Sequence, residues 1–184
     1  MVLIGLTGTH GAGKGTVVNY LVREHGFTCL SVSEFLAAEA ERRGMQPDRH
    51  ARHDIANEYR ARGPLALMEA VLATVPERVE RVILEPQYTE EEVRFVQERG
   101  GMVIAVDADL ETRYERVHVR GSAKDDVSFE EFKASQEAEM AAAKAGEQNL
   151  QGAMVAADVH LQNNSTIEAI ERDVHTVLQE HNIA

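Results

Sequence analysis

Tryptophan is absent from this 184-residue sequence, cysteine occurs once, and lysine only four times against 15 arginines. A single thiol cannot close an internal disulfide, and Cys29 has no CxxC neighbour that would make a zinc or redox motif. It sits in Phe27-Thr28-Cys29-Leu30, which reads as a short buried strand, so an inert thiol is expected. No apolar run approaches the ~20 residues of a membrane helix. Met1 is followed at once by the apolar Val2 to Leu6, without the basic stretch that opens a signal peptide, and a strand in a cytoplasmic protein is expected. Positive charge is scarce as well: 19 Lys and Arg against 31 Asp and Glu leave a formal net charge of −12. A chain that neutralised nucleic-acid phosphates would carry the opposite balance, so no nucleic-acid and no membrane partner is expected.

What is present suits one globular unit, with 43% hydrophobic and 27% charged residues. This length buries a core without metal or disulfide staples, and residues 1–184 read as a single domain. Short apolar runs alternate with longer amphipathic stretches, the pattern of an α/β fold around a parallel sheet. Five strands are expected: Val2 to Thr7, Phe27 to Val32, Val79 to Leu84, Met102 to Asp107 and Ala156 to Leu161. Capping boxes at Thr89 to Glu92, Ser128 to Glu131 and Ser165 to Glu168 mark helix starts. Ser33 to Gly44, Ala51 to Arg62 and Pro64 to Thr74 form a helical block between strands two and three.

Directly after the first strand comes Gly8-Thr9-His10-Gly11-Ala12-Gly13-Lys14-Gly15-Thr16, followed by the helical run Val17 to Glu24. Consecutive backbone N–H groups that wrap a polyphosphate need conformations and a close approach that glycine allows, and the helix adds its positive dipole end. Thr9, His10, Gly11, Ala12, Gly13, Lys14, Gly15 and Thr16 are therefore the expected phosphate cradle, with Lys14 following charge between the β- and γ-phosphates of ATP. The pattern G-x-x-x-x-G-K-[ST] is met up to Lys14; Gly15 then takes the hydroxyl position, and Thr16 is the nearest hydroxyl for a magnesium ion. Related loops often carry proline where His10 stands, and loop packing is its expected role. The other seven of the 8 histidines make no i, i+4 pairs beside carboxylates, so no zinc site is read.

The G-x-x-G-x-G-K-G-T variant resembles the adenylate-kinase-like branch of P-loop kinases. Val103 to Asp109 with Arg113, Arg116, Arg120 and Ser128 to Gln136 resembles the lid region of nucleoside monophosphate kinases and dephospho-CoA kinases. Ala157 to Asn163 is similar to the last strand and adenine-side loop of the latter, which implies nucleotide contact at Asn163. The resemblance spans nearly the whole chain. It implies a three-layer P-loop NTPase fold with a five-stranded parallel sheet, a helical acceptor-binding insertion over about 33–75 and a short lid over about 113–145.

The family also supplies a point of departure. Kinases that phosphorylate a hydroxyl usually place an Asp after the second strand, whereas this sequence has Ser33 and then Glu34; Ser33 is either an acceptor contact or the N-cap of its helix. An acceptor phosphate calls for arginine forks. Arg52 and Arg60 lie eight apart on one helical face, and Arg60 is the chosen acceptor contact, whereas Arg42 and Arg43 beside Gly44 are expected to be solvated. Glu85 ends the third strand where a Walker B carboxylate would orient magnesium-bound water, or contact the acceptor. No arginine follows it until Arg94, unlike many monophosphate kinases. Arg113, Arg116 and Arg120 share a helical face running into Gly121-Ser122, a lid hinge by expectation, with Arg116 and Arg120 closing on the phosphoryl group.

The expectation is thus an ATP- and Mg2+-dependent phosphotransferase, monomeric or a weak homodimer, acting on small nucleotide substrates, with a (deoxy)nucleoside monophosphate as acceptor. Dephospho-CoA kinase-like hydroxyl phosphorylation and an ATP-binding switch or slow ATPase without a small-molecule acceptor are the alternatives.

Overall fold

The computed structural model describes residues 1–121, 127–141 and 149–183. Strand β1 (Val2–Gly8) lies at the centre of a five-stranded, all-parallel sheet. It pairs with β3 (Arg81–Glu85) on one side and β4 (Met102–Asp107) on the other. Strands β2 (Thr28–Ser31) and β5 (Val159–Gln162) complete the order β2-β3-β1-β4-β5. Register is set by alternation: Leu3, Val82, Leu84, Val103 and Ala105 face one core, while Ile4, Leu6, Ile83, Ile104 and Val106 face the other. A one-residue slip would send every one of these side chains to the wrong layer.

Two helices cover the second core, α1 (Lys14–His25) through Val17 and Leu21, and the C-terminal helix through Ile170, Val174 and Leu178. On the opposite face lie α2 (Val32–Arg42), α3 (Arg49–Arg62), α4 (Ala66–Leu72), α5 (Glu90–Gln97) and, past β4, a short helix over Leu150–Ala156. Between β4 and that short helix come α6 (Leu110–Arg120) and α7 (Phe129–Ala141), so the short helix is α8 and the C-terminal helix (Ile167–Glu180) is α9. No helix among the described residues is long and apolar enough to cross a membrane.

Boundaries follow local chemistry. Ser128 and Glu131 form the expected reciprocal box: the Ser128 hydroxyl accepts from Glu131 N–H (3.3 Å) and Glu131 accepts from Ser128 N–H (2.8 Å). Thr89 caps α5, its hydroxyl accepting from Glu92 N–H at 3.2 Å. The C-terminal helix starts one residue later than expected, with Thr166 rather than Ser165 accepting from Ala169 N–H. Pro64 does not open α4. Gly63 is extended at φ 159°, ψ 152°, and the helix begins at Ala66. The last strand is also shorter than expected, because Ala156 belongs to α8, which Asn149 caps by accepting from Gly152 N–H at 2.9 Å. Asp158 then anchors the turn into β5 by accepting from Val103 N–H at 2.7 Å.

Candidate active site

The loop from Thr9 to Gly13 runs from the end of β1 into α1 across the C-terminal edge of the sheet. Gly13 caps α1 at φ 99°, ψ 23°, a left-handed conformation that suits a residue without Cβ. Helix α1 has no side chain capping its N-terminus and no acidic residue in its first turn, whereas α5 has Thr89 and three glutamates. The unneutralised positive end of α1 faces a cavity of about 600 Å3, lined by the loop from His10, by Thr16, Glu85, Arg116 and Arg120, by Ser165 of the loop into α9 and by Ile167 at the start of that helix. Every part of an anion-binding helix terminus is therefore in place.

The loop is held by its neighbours. Thr9 is buried and its hydroxyl donates to Asp107 Oδ1 at 2.6 Å, which makes Thr9 a pin between β1 and β4. Lys14 Nζ donates to the carbonyls of Gly8 (2.7 Å) and Thr9 (3.0 Å) and lines the cavity. Asn163, 5% exposed, donates through Nδ2 to Ala12 O at 2.8 Å. Its amide braces the loop from the β5 side while it also lines the cavity, and Ala12 itself is fully buried. His10 is exposed on the loop, with its ring 6.2 Å from that of Phe132.

The arginine stripe of α6 divides. Arg116 and Arg120 line the cavity as expected. Arg116 donates weakly to Ala12 O (3.4 Å), Asn163 Oδ1 (3.5 Å) and Ser165 O (3.5 Å), which places it against the loop into α9. Arg113 departs from the stripe. It is 8% exposed and donates to Ala108 O (2.9 Å) and Gln136 Oε1 (2.6 Å), so it is a buried brace between α6 and α7. Of the lid expected over 113–145, Ser122 to Asp126 and 142–145 lie outside the described residues.

Glu85, at the end of β3, lines the same cavity as Lys14 and Thr16. Burial pushes its carboxyl above the usual carboxylate range, against the pull of the Lys14 ammonium and of a hydrogen bond with Ser31, while the Glu34 charge adds to the rise. Gly15 offers no hydroxyl, so Thr16 and Glu85 are the polar side chains placed to meet a phosphate-bound cation. Among the described residues no group of three or more His, Cys, Asp or Glu could hold a metal on its own. That donor set fits magnesium carried mainly by phosphates and water.

The chain crosses from this cavity into a second one at Glu85 and Pro86. Pro86 lines a cavity of about 390 Å3 together with Ser33, Arg52, His53, Arg60, Tyr88 and Glu92 over an apolar floor that includes Leu36, Leu67 and Met68. Of the three expected acceptor contacts, Ser33 and Arg60 are here, while Glu85 lines the first cavity. Ser33 is not the helix cap: Ser31 is, accepting from Glu34 N–H at 3.4 Å, and the Ser33 hydroxyl instead accepts from Arg52 Nη1 at 3.0 Å. Arg42 and Arg43 are occupied elsewhere. Both pair with Glu39, and Arg43, only a quarter exposed, also pairs with Glu58, so the solvated state expected for the two applies to Arg42 alone. Sequence reasoning missed the pinning role of Asp107 and the place of Glu92; the position of Asp107 at the end of a central strand was the available signal.

A family model described as an AAA domain matches residues 7–133. A UPF0200 protein of Methanopyrus kandleri is 33% identical over 149 residues, covering 75% of this chain and 71% of that protein. A UPF0200 protein of Pyrobaculum aerophilum is 33% identical over 132 residues, covering 71% and 72%. Among solved structures, TT1252 of Thermus thermophilus superposes with a TM-score of 0.62 at 25% identity, covering 97% of each chain. The shikimate kinase of Aquifex aeolicus gives 0.59 at 19% identity, covering 100% and 99% of the two chains. The dephospho-CoA kinase of Campylobacter jejuni gives 0.57 at 16%, covering 97% and 96%. These last two likenesses concern the fold.

Proposed function

The chain belongs to the UPF0200 family and to the P-loop kinase superfamily, and we propose that it transfers the γ-phosphoryl of ATP, with Mg2+, to a (deoxy)nucleoside monophosphate. One observation carries this reading: a second cavity with two arginines adjoins the phosphate-loop cavity across Glu85 and Pro86. A nucleotide switch needs no such chamber. An acceptor that is itself an anion needs guanidinium donors, and the cavity supplies them.

The roles follow from position. The positive end of α1 and the Lys14 ammonium would hold the β- and γ-phosphates, Asn163 and Thr9 keep the loop in shape, and Arg120 meets charge on the moving phosphoryl group. Bound magnesium would supply charge neutralisation on the phosphates, with the Thr16 hydroxyl and Glu85 orienting its water. The transfer is then mostly a matter of holding donor and acceptor in line.

A second reading is favoured by one observation, the place of the Glu85 carboxyl where the two cavities meet, with burial raising its proton affinity. Such a group could accept a proton from a hydroxyl acceptor, as dephospho-CoA kinase-like chemistry would require. A coupled ADP-release screen over the common ribo- and deoxyribonucleoside monophosphates, dephospho-CoA and shikimate decides. Stimulation by a monophosphate is expected. Stimulation by a hydroxyl acceptor alone would establish the second reading, and ATP hydrolysis indifferent to every acceptor would leave a slow ATPase or switch.

A further inference from the structure

The second cavity carries two arginines, and their surroundings differ. Eight residues of α-helix separate Arg52 from Arg60, about 12 Å along the axis of α3, too far for both to grip one small anion unless their side chains converge. They do not. Arg52 turns back along α3, donating through Nε to Asp48 O at 3.2 Å, and reaches Ser33 Oγ through Nη1. Arg60 also turns back, donating to Asn57 Oδ1 at 3.3 Å.

Their charges differ in compensation. Arg52 is half-buried, its hydrogen-bond acceptors are a hydroxyl and a backbone carbonyl, and the carboxylate that attracts it, Asp48, is exposed, caps α3 and is not part of the cavity lining. Its positive charge is available to an anion. Ser33, to which it is bonded, lies two residues past Ser31, which pairs with Glu85 between β2 and β3, and Glu85 lines the phosphate-loop cavity. The Arg52 end of the acceptor cavity therefore lies toward the phosphate loop. Arg60 shares its part of the cavity with Glu92, which is 4% exposed and lines the wall. One Glu92 oxygen accepts from Tyr88 N–H at 2.7 Å. The two groups attract electrostatically. A carboxylate beside Arg60 repels a second anion and favours a neutral group that offers a donor to Glu92 and an acceptor to Arg60.

We infer that the acceptor cavity is polarised: Arg52 with Ser33 anchors the acceptor's anionic end, and Glu92 with Arg60 reads the uncharged hydrogen-bonding edge of its base at the other end. This rests on the monophosphate reading above and goes beyond it by moving the phosphate contact from Arg60 to Arg52. It also assigns Glu92 to specificity. The helix-start bond between Glu92 and Tyr88 N–H survives a Glu92→Gln substitution, because the amide oxygen still accepts, so that variant tests charge with the shape retained.

The experiment uses the full chain, with steady-state kinetics over the monophosphate panel and ribose 5-phosphate, which carries the anion without a base, as competitive inhibitor. Arg52→Ala raises the acceptor KM and the ribose 5-phosphate inhibition constant together, by about 10- to 100-fold as for a lost charge-assisted contact. Arg52→Lys restores part of this. Glu92→Gln and Arg60→Ala leave ribose 5-phosphate inhibition within about twofold and shrink the preference for the best base by about tenfold. Thermal unfolding of each variant reports folding separately. If no monophosphate is accepted by the unaltered protein, the functional reading and this inference fall together. If one is accepted but Arg60→Ala weakens ribose 5-phosphate as much as Arg52→Ala does, or Glu92→Gln lowers every acceptor equally, the polarity alone is wrong.

Discussion

Replacing Gly13 by alanine tests whether the conformation of the phosphate loop, beyond its composition, makes the site. Gly13 has φ 99°, and a Cβ built there would lie 2.3 Å from Asn163 Nδ2. A left-handed residue carrying a β-carbon costs about 1–2 kcal/mol. Relieving the overlap requires the Asn163 amide to move off Ala12 O, which it meets at 2.8 Å, at a further ~0.5–1.5 kcal/mol. Together these amount to about 1.5–3.5 kcal/mol, or a fall of about 3–14 °C in the unfolding midpoint of a domain this size. Gly15 is the control, since nothing lies within 4 Å of a Cβ there. Alanine at that position in the first turn of α1 is neutral or mildly stabilising. Thermal unfolding and titration with a fluorescent ATP analogue would be measured on both variants. Gly13→Ala should lose stability and nucleotide affinity together, because the backbone it displaces lines the cavity proposed to take the phosphates. A Gly13→Ala protein that melts within about 2 °C of the parent and binds the analogue normally would refute the reasoning, as would an equal loss in Gly15→Ala.

Lys14→Ala should lower phosphoryl transfer by several orders of magnitude in a protein that still melts normally, since a group acting on developing charge is worth about 3–4 kcal/mol. Arg120→Ala should lower kcat and kcat/KM together; Arg116→Ala, which lies against Ser165 and Asn163, should in addition raise the KM for ATP. For Glu85 the folded carboxyl titrates above its ordinary 4.5, so the folded state binds more protons than the unfolded one between those values, and stability falls as pH rises through that window. Glu85→Gln should therefore raise the unfolding midpoint at pH 7 relative to the parent, with the advantage vanishing below pH 4.5, while transfer is lost. Glu39 has the opposite sign: hydrogen bonds from Arg42 and Arg43 hold it down to about 2, so stability present above 4.5 is lost as pH falls toward 2, and Glu39→Gln should flatten that part of an acid-unfolding curve.

The strands and the phosphate loop were legible because each is written locally. Alternation in Val82-Ile83-Leu84 and Met102 to Val106 dictates which side chain faces which layer, and the glycine spacing dictates the loop. Cys29 falls on β2 as expected but is half-buried, on a strand expected to be buried, and burial pushes its thiol up to about 12. Where the reading went astray, the deciding partner lay far along the chain or the signal was ambiguous. Met154-Val155-Ala156-Ala157 runs toward Val159 with only Asp158 between them, and the Asn149 cap, 10 residues before β5, is what makes the first part a turn of helix. Ser33 looked equally like a cap or a contact; the cap is Ser31, and the Ser33 hydroxyl accepts from Arg52, 19 residues away. Glu92 carried the signature of a capping box, and nothing local distinguishes a glutamate that only caps from one that also lines a cavity.

Arg113 shows most clearly what helical spacing cannot tell. By periodicity it belongs with Arg116 and Arg120, yet its guanidinium is buried and satisfied by Ala108 O, Gln136 Oε1 and, at 3.4 Å, His10 O, with Asp107 Oδ1 at 3.9 Å. A buried charge is tolerated only when its donors are met in this way. Those partners come from β4, α7 and the phosphate loop, so one side chain ties the first turn of α6 to all three. Edge-on contact of Tyr114 with Phe129 and tilted contact with Phe132 add an aromatic seam between α6 and α7. The start of α6 therefore cannot swing independently of the loop that it helps to shape. Arg116, one turn beyond the brace, is held near Ala12 and Asn163, which suits a guanidinium presented to the donor nucleotide in advance. Arg120 lies two turns beyond the brace and beside Gly121, where the chain turns left-handed at φ 64°.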